Sequence, residues 1–370
     1  MSGSSACRTM QDSLFDDPDL PAPAQPSAPE PQKPQKPQKT TTQRRAKVLA
    51  APPDASQQAL AGELPSTLRM GTSSWSFPGW AGMVWEGDYE PRVLSKHGLA
   101  AYARHPLLRT VSIDRSFYKP LSASQFAAYA SQVPEDFRFV VKAPSLVADA
   151  MVRGEDGRGM EPNPAFLDTA LAAGEFVQPA LEGLGNKLGA LVFQLSPLPG
   201  ALLARMPEIL DRLRAMLQAL PALRPHAPDG VIAVEVRNPE FLTPAFVDVL
   251  REAGATYCLG LHSKMPPIAD QLPLLRALWP GPLVCRWNLN RRHGAYGYEE
   301  AKTLYEPFDK LVDPDLDTRA SLARVIAGTT GAGHDAYITI SNEAEGSAPL
   351  TVLALAEEVR RLQHPRPNTP

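Results

Sequence analysis

Between Arg69 and Asn342 the chain runs eight times from a short apolar, β-rich stretch straight into polar or charged residues. The apolar runs predict strands over 69–74, 109–114, 137–142, 188–195, 231–236, 256–261, 283–287 and 336–341. Period-3.6 patterns between them predict helices over 123–132, 165–184, 202–220, 244–253 and 349–362. Pro244 and Pro349 fall in first helical turns, where a fixed φ and a missing N–H cost nothing. Strand and helix in alternation imply a parallel sheet. Eight such strands close most simply into an α/β (β/α)8 barrel of the TIM type, as a single domain. A doubly wound open sheet competes, but Gly71-Thr72-Ser73-Ser74-Trp75 after the first strand is not a GxGxxG phosphate loop.

Strand parity gives each run two buried faces. Ile232, Val234 and Val236 share one side of their strand, against Ala233, Glu235 and Arg237. Val111 and Ile113 oppose Thr110, Ser112 and Asp114; Phe139 and Val141 oppose Arg138, Val140 and Lys142. The branched sides would meet helices, and the sides ending in ionisable residues would line the barrel mouth. Strand C-terminal ends of such barrels carry the chemistry. The row of polar tails, Ser73-Ser74-Trp75, Asp114-Arg115, Lys142, Gln194, Glu235-Val236-Arg237, His262, Arg286-Trp287-Asn288 and Ser341-Asn342, is therefore the candidate site. Unpaired charge inside a barrel is costly, so these residues are not expected there by default.

Composition changes the picture at the N-terminus. Residues 1–66 are rich in Pro, Gln, Ser and Ala, with a period-three run Gln32-Lys33-Pro34, Gln35-Lys36-Pro37, Gln38-Lys39-Thr40 and a basic end at Arg44, Arg45 and Lys47. Such a segment buries too little apolar surface to offset its ordering entropy. It is expected to be a disordered Pro-rich tail, followed by the barrel over 67–364 and a short tail at 365–370. The 44% hydrophobic content suits a sizeable core, and a net charge of −3 carries no global nucleic-acid or membrane signal. The three cysteines, Cys7, Cys258 and Cys285, form neither a disulfide framework nor a zinc motif. No apolar run approaches the roughly 20 residues that span a bilayer. A cytoplasmic protein is expected.

In order along the chain stand Gly71-Thr72-Ser73-Ser74-Trp75-Ser76, Ser116-Phe117-Tyr118, Phe137-Arg138-Phe139-Val140-Val141-Lys142-Ala143-Pro144, Leu188 to Leu195, and Ala233-Val234-Glu235-Val236-Arg237. In that order and spacing they resemble the YecE-like proteins, the domain of unknown function 72, over nearly all of 69–362. The resemblance implies a TIM-type barrel and no established activity. The chain departs from the family pattern in three places. Ser112 stands where a glutamate is usual and Asp114 where an asparagine is. Ser145–Met151 holds no histidine. Arg286-Trp287-Asn288-Leu289 replaces a motif ending in histidine. These mark a divergent member.

The chemistry these residues suggest is that of an enzyme acting on a polar or anionic, phosphate-bearing small molecule. Glu235 is the candidate acid/base, with Lys142 and Asp114 beside it as catalytic candidates. Lys142, Arg237 and Arg286 would hold an anion. Gln194, Tyr118, Trp75, Asn288 and Asn342 complete the substrate-binding set. A divalent metal on Asp114, Glu235, Gln194, His262 and Asn288 is conceivable, but no metal-ligand spacing announces it; cofactors are otherwise open. Basic and aromatic residues alternate in Arg291, Arg292, His293, Tyr296 and Tyr298, which suits phosphate contact with stacking. Gly346-Ser347-Ala348-Pro349 would open a helix N-terminus to an anion. Two alternatives stand beside the enzyme: a nucleic-acid-associated, nuclease-like or repair accessory protein, and a non-catalytic ligand-binding barrel. For the first, Gln11, Leu14 and Phe15 lie in a segment resembling the peptide by which bacterial proteins grip the DNA sliding clamp.

Overall fold

A computed structural model describes residues 47–153, 159–294 and 297–363. Its eight barrel strands are β1 (Leu68–Thr72), β2 (Thr110–Ile113), β3 (Arg138–Lys142), β4 (Leu188–Gln194), β5 (Val231–Glu235), β6 (Thr256–Leu261), β7 (Leu283–Trp287) and β8 (Ala336–Ile340). All pair in parallel, and β1 closes onto both β2 and β8, completing the barrel. The expected strands and the expected barrel are borne out.

Parity sorts the side chains into two cores. Branched and aromatic residues on the outer faces, among them Val111, Ile113, Phe139, Val141, Leu191, Phe193 and Val234, pack with the helices into the large core. The interior is filled by Val140, Ala190, Val192, Ala233, Cys258, Val284 and Tyr337. Below this apolar plug, at the N-terminal ends of the strands, Arg138 pairs with Asp229 at 2.7 Å and Arg69 with Asp335 at 2.7 Å. Charge therefore sits at both ends of the barrel, with hydrocarbon between.

Three boundaries differ from the sequence expectation. Ordered structure among the described residues extends upstream of the expected boundary at 67, to Lys47. Val48 is buried, Ala50 bridges to Trp85, and a helix at Ala55–Glu63 buries Leu60 and pairs Glu63 with Arg360 of the last helix. Asp54 caps that helix, accepting from the amides of Ser56 and Gln57. The helix expected from 165 starts only at Thr169, because Leu167 takes a positive φ of 57° and Asp168 caps the turn. The segment from 200 divides at Arg205 into Gly200–Leu203 and Met206–Gln218. A two-stranded antiparallel hairpin, Met151–Arg153 with Gly159–Pro162, was not expected at all. Among the described residues no helix is long and apolar enough to cross a membrane. Cys7 and the tail segment with Gln11, Leu14 and Phe15 lie outside the described residues, as does Tyr296.

Candidate functional site at the strand C-terminal ends

The period of two carries Asp114, Lys142, Gln194, Glu235, Arg237, Arg286 and Asn288 toward the same end of the barrel. Glu235 lies at its centre and is fully buried. Its Oε2 accepts from Arg286 Nη1 at 2.7 Å and its Oε1 pairs with Arg237 Nη2 at 2.7 Å. Asn288 Nδ2 donates to Oε1 at 3.3 Å. Room for this carboxylate comes from Gly260 on β6, where a Cβ would stand 3.2 Å from Oε1. Gln194 Oε1 accepts from both guanidiniums, at 3.1 Å from Arg286 and 3.2 Å from Arg237. Arg286 reaches the other way to Asp114, Nη2 to Oδ2 at 2.8 Å, and Ser112 Oγ donates to Asp114 Oδ1 at 2.5 Å. So Ser112 and Asp114 are joined in one hydrogen bond at the end of β2. Arg237 Nη1 and Arg286 Nε are buried and have no hydrogen-bond partner among the described residues.

Electrostatics divides this cluster. Burial alone would raise the Glu235 carboxyl, but the guanidiniums of Arg237 and Arg286 outweigh it and hold it below the usual range. Burial alone would ease a proton off Arg286, and Asp114 and Glu235 reverse that. Lys142 is different. Burial of its amine dominates and brings it down to about 7, with Asp114 pulling upward and Arg286 downward. Its Nζ lies 3.7 Å from the centroid of the Phe117 ring. Among the described residues it has no carboxylate within ion-pair distance, because Asp114 and Glu235 are engaged by Arg286 and Arg237. Solvent approaches on this side, where the Asp114 side chain is 24% exposed and Lys142 only partly buried.

The opposite rim is formed by His262, Tyr298 and Glu343. His262 Nδ1 accepts from the Lys264 amide at 3.0 Å, and burial with Arg237 nearby pushes the imidazole down to about 3. Its ring lies 5.5 Å from Tyr298, whose phenol is raised by burial. Glu343 is half-buried, accepts from the Ser341 hydroxyl, and has its carboxyl raised by burial.

Residues 69–370 match the family described as protein of unknown function DUF72. The chain belongs to the DUF72 family. Among solved structures it is similar to a DUF72 family protein from Thermotoga maritima, with 19% identity over 78% of this chain and 98% of that one and a TM-score of 0.48. A DUF72 family protein from Enterococcus faecalis shows 18% identity over 79% of this chain and 95% of that one, with a TM-score of 0.47. No curated protein matches the chain in sequence.

Not every expected site residue of this DUF72 barrel joins the cluster. Trp75 is buried; its indole N–H donates to the Ser95 carbonyl at 3.3 Å and its ring lies edge-on to Tyr129 at 5.5 Å. It is engaged in packing the first loop. Tyr118 is 54% exposed, edge-on to Phe117, outside the hydrogen-bonded network of the guanidiniums. Asn342 is buried at 1% exposure, and its Oδ1 accepts from Trp80 Nε1 at 3.2 Å and the Ala348 amide at 2.9 Å. It caps the last helix and locks the first loop to it. That also corrects the anion site expected at Gly346–Pro349: Asn342 already serves this terminus, and the buried carboxylate of Glu345 stands beside it, paired with Arg319 at 2.9 Å. The basic residues after β7 are likewise engaged. Arg291 donates to the Met265 carbonyl at 2.7 Å, Arg292 pairs with Asp313, and His293 meets Tyr305 at 2.6 Å, whose hydroxyl donates to Asp313. Among the described residues no group of three or more His, Cys, Asp or Glu is placed to hold a metal ion. A cavity of about 410 Å³ lies elsewhere, lined by Leu272, Leu275, Trp279 and Val325.

Sequence reasoning underrated Phe117. Its place in Ser116-Phe117-Tyr118, just beyond a strand end, put it at the mouth, but nothing in one dimension set its ring beneath the lysine. Gly260 left no signal beyond being a glycine near a strand end.

Proposed function

We propose that the C-terminal face of this barrel binds a small anionic molecule and moves a proton on it through Lys142. The supporting observation is the contrast between Lys142 and its neighbours. Glu235 has both oxygens on cations and is held ionised, which suits a fixed counter-charge better than a general base. Among the described residues the Lys142 amine has no polar partner; it lies beside an aromatic ring and is brought to about 7, where a general acid/base is most effective. The geometry thus favours a division of roles other than the one expected from sequence: Lys142 transfers the proton, Glu235 and Gln194 orient the guanidiniums, and Asp114 holds Arg286 from the outer side. The two carboxylates offset the two guanidiniums, so an incoming anion is balanced by protonation of Lys142. Binding and protonation are then linked.

Sulfate, whose charge does not change near neutrality, is a suitable probe. Calorimetric titration should show sulfate binding strengthening as pH falls through about 7. Lys142→Met should remove that pH dependence, and Arg237→Met should weaken binding about tenfold, the loss of one charge-assisted contact. Unchanged sulfate binding in both variants would defeat the proposal.

A further inference from the structure

We infer that Lys142 is also a nucleophile, condensing through Nζ with the carbonyl carbon of an aldehyde or ketone that carries a phosphate or carboxylate, and this rests on the anion-site reading above. A lysine that merely balances charge would stand against a carboxylate. Here Asp114 and Glu235 are both taken by arginines, and the Lys142 amine rests on the Phe117 ring. Its anchorage is rigid. Lys142 ends β3, and Ser116 Oγ lies 2.6 Å from its carbonyl and 2.8 Å from that of Ile113, tying the two strand ends together. Beside it, Arg237 Nη1 and Arg286 Nε are buried cationic donors without a hydrogen-bond partner among the described residues. An anionic head group drawn toward those guanidiniums carries its carbonyl end to the amine. Burial keeps a substantial share of that amine neutral near pH 7, and a desolvated lysine among cations is the form that attacks carbonyls.

The step balances without any further reagent. The neutral amine's electron pair forms the C–N bond, and the carbonyl π pair moves to oxygen, which takes a proton from that nitrogen to give the carbinolamine. Uptake of one proton from solvent then lets the C–O bond break and releases one water, while the nitrogen lone pair completes the C=N bond. The product is a protonated imine. Its positive charge replaces that of the lysine ammonium beside Asp114 and Glu235, whose carboxylates favour a cation at Nζ.

Pyridoxal 5′-phosphate is the probe, because it carries both an aldehyde and a phosphate. The full-length protein is incubated with it, reduced with sodium borohydride and mapped by peptide mass, with pyridoxal lacking the phosphate in a parallel arm. Inorganic phosphate binding is measured separately by calorimetry. The expected result is one dominant reduced adduct at Lys142, about tenfold or more weaker with pyridoxal, suppressed by inorganic phosphate, and absent in Lys142→Met. Adducts spread over surface lysines without preference for Lys142, while inorganic phosphate still binds, would overturn the nucleophile and leave the anion site standing. Absence of both phosphate binding and the Lys142 adduct would remove both.

Discussion

Arg286 and Glu235 form a closed ion pair inside the barrel mouth, Nη1 to Oε2 at 2.7 Å, with neither side chain more than 2% exposed. Such a pair is weak evidence for stability, since desolvation offsets most of its attraction, but removing one partner strands the other. Arg286→Met is expected to cost about 3–5 kcal/mol in urea unfolding, and Glu235→Gln a similar amount. The double variant should cost clearly less than the sum, because neither of this pair is then left charged alone. Additive losses would show that the pair is not coupled.

Stability should rise with pH on account of Lys142. In the unfolded chain the amine holds its proton up to its usual 10.5, whereas in the fold it releases it at about 7. Between those values the unfolded state binds more protons, so unfolding free energy increases with pH and levels off above 10.5. Lys142→Met should be more stable than wild type at pH 7, with a gain that shrinks toward pH 10.5. Parallel stability curves for the two proteins across this window would contradict the burial of the amine.

His262 works in the acid range with the same sign. Its imidazole stays neutral in the fold down to about 3, against 6.5 when exposed. Stability is therefore lost as pH falls from 6.5 toward 3. His262→Asn should flatten that acid limb, visible in melting temperatures measured between those pH values; an unaltered limb would mean that the imidazole protonates freely in the fold.

Asp114 tunes Lys142, since its carboxylate is the largest influence opposing burial. Asp114→Asn should lower the Lys142 pKa by about one unit, as the loss of a nearby opposite charge does. Site-specific labelling of the amine as a function of pH reads this directly. A rise, or no change, would mean that Asp114 acts only on Arg286.

Asn342 holds two donors from different elements, the Trp80 indole and the Ala348 amide. Asn342→Leu leaves both buried without an acceptor and should cost about 1–3 kcal/mol for each. It should leave sulfate affinity unchanged when measured well below the unfolding temperature. A selective loss of sulfate binding with stability intact would return Asn342 to the ligand site.

The barrel was legible because β-branched runs and period-two alternation are local properties, written out strand by strand. Asp114, Lys142, Glu235, Arg237 and Arg286 could be placed at one end by the same parity. Trp75 and Asn342 also follow strand ends, yet the chain turns them into packing and capping contacts, and only tertiary structure distinguishes a side chain facing the mouth from one tucked beneath a loop. The helix at Ala55–Glu63 was hidden in a Pro-rich region because it buries little beyond Leu60. The character of Lys142 was illegible for another reason: it depends on a ring from the β2 loop and on which cations claim the nearby carboxylates.

If Gln11, Leu14 and Phe15 form a clamp-binding peptide, sliding clamp should be captured by the full chain and lost with Leu14→Ala/Phe15→Ala. Equal capture by both would end that proposal.

Lys142 as a near-neutral amine within an anion site is open to direct titration. Competitive labelling of all lysines with a trace amine-acylating reagent across pH 5 to 11, read by peptide mass at Lys142 with and without sulfate, tests it most directly. Half-labelling of Lys142 is expected near pH 7, displaced upward by sulfate. An ordinary titration near 10.5, indifferent to sulfate, would contradict it.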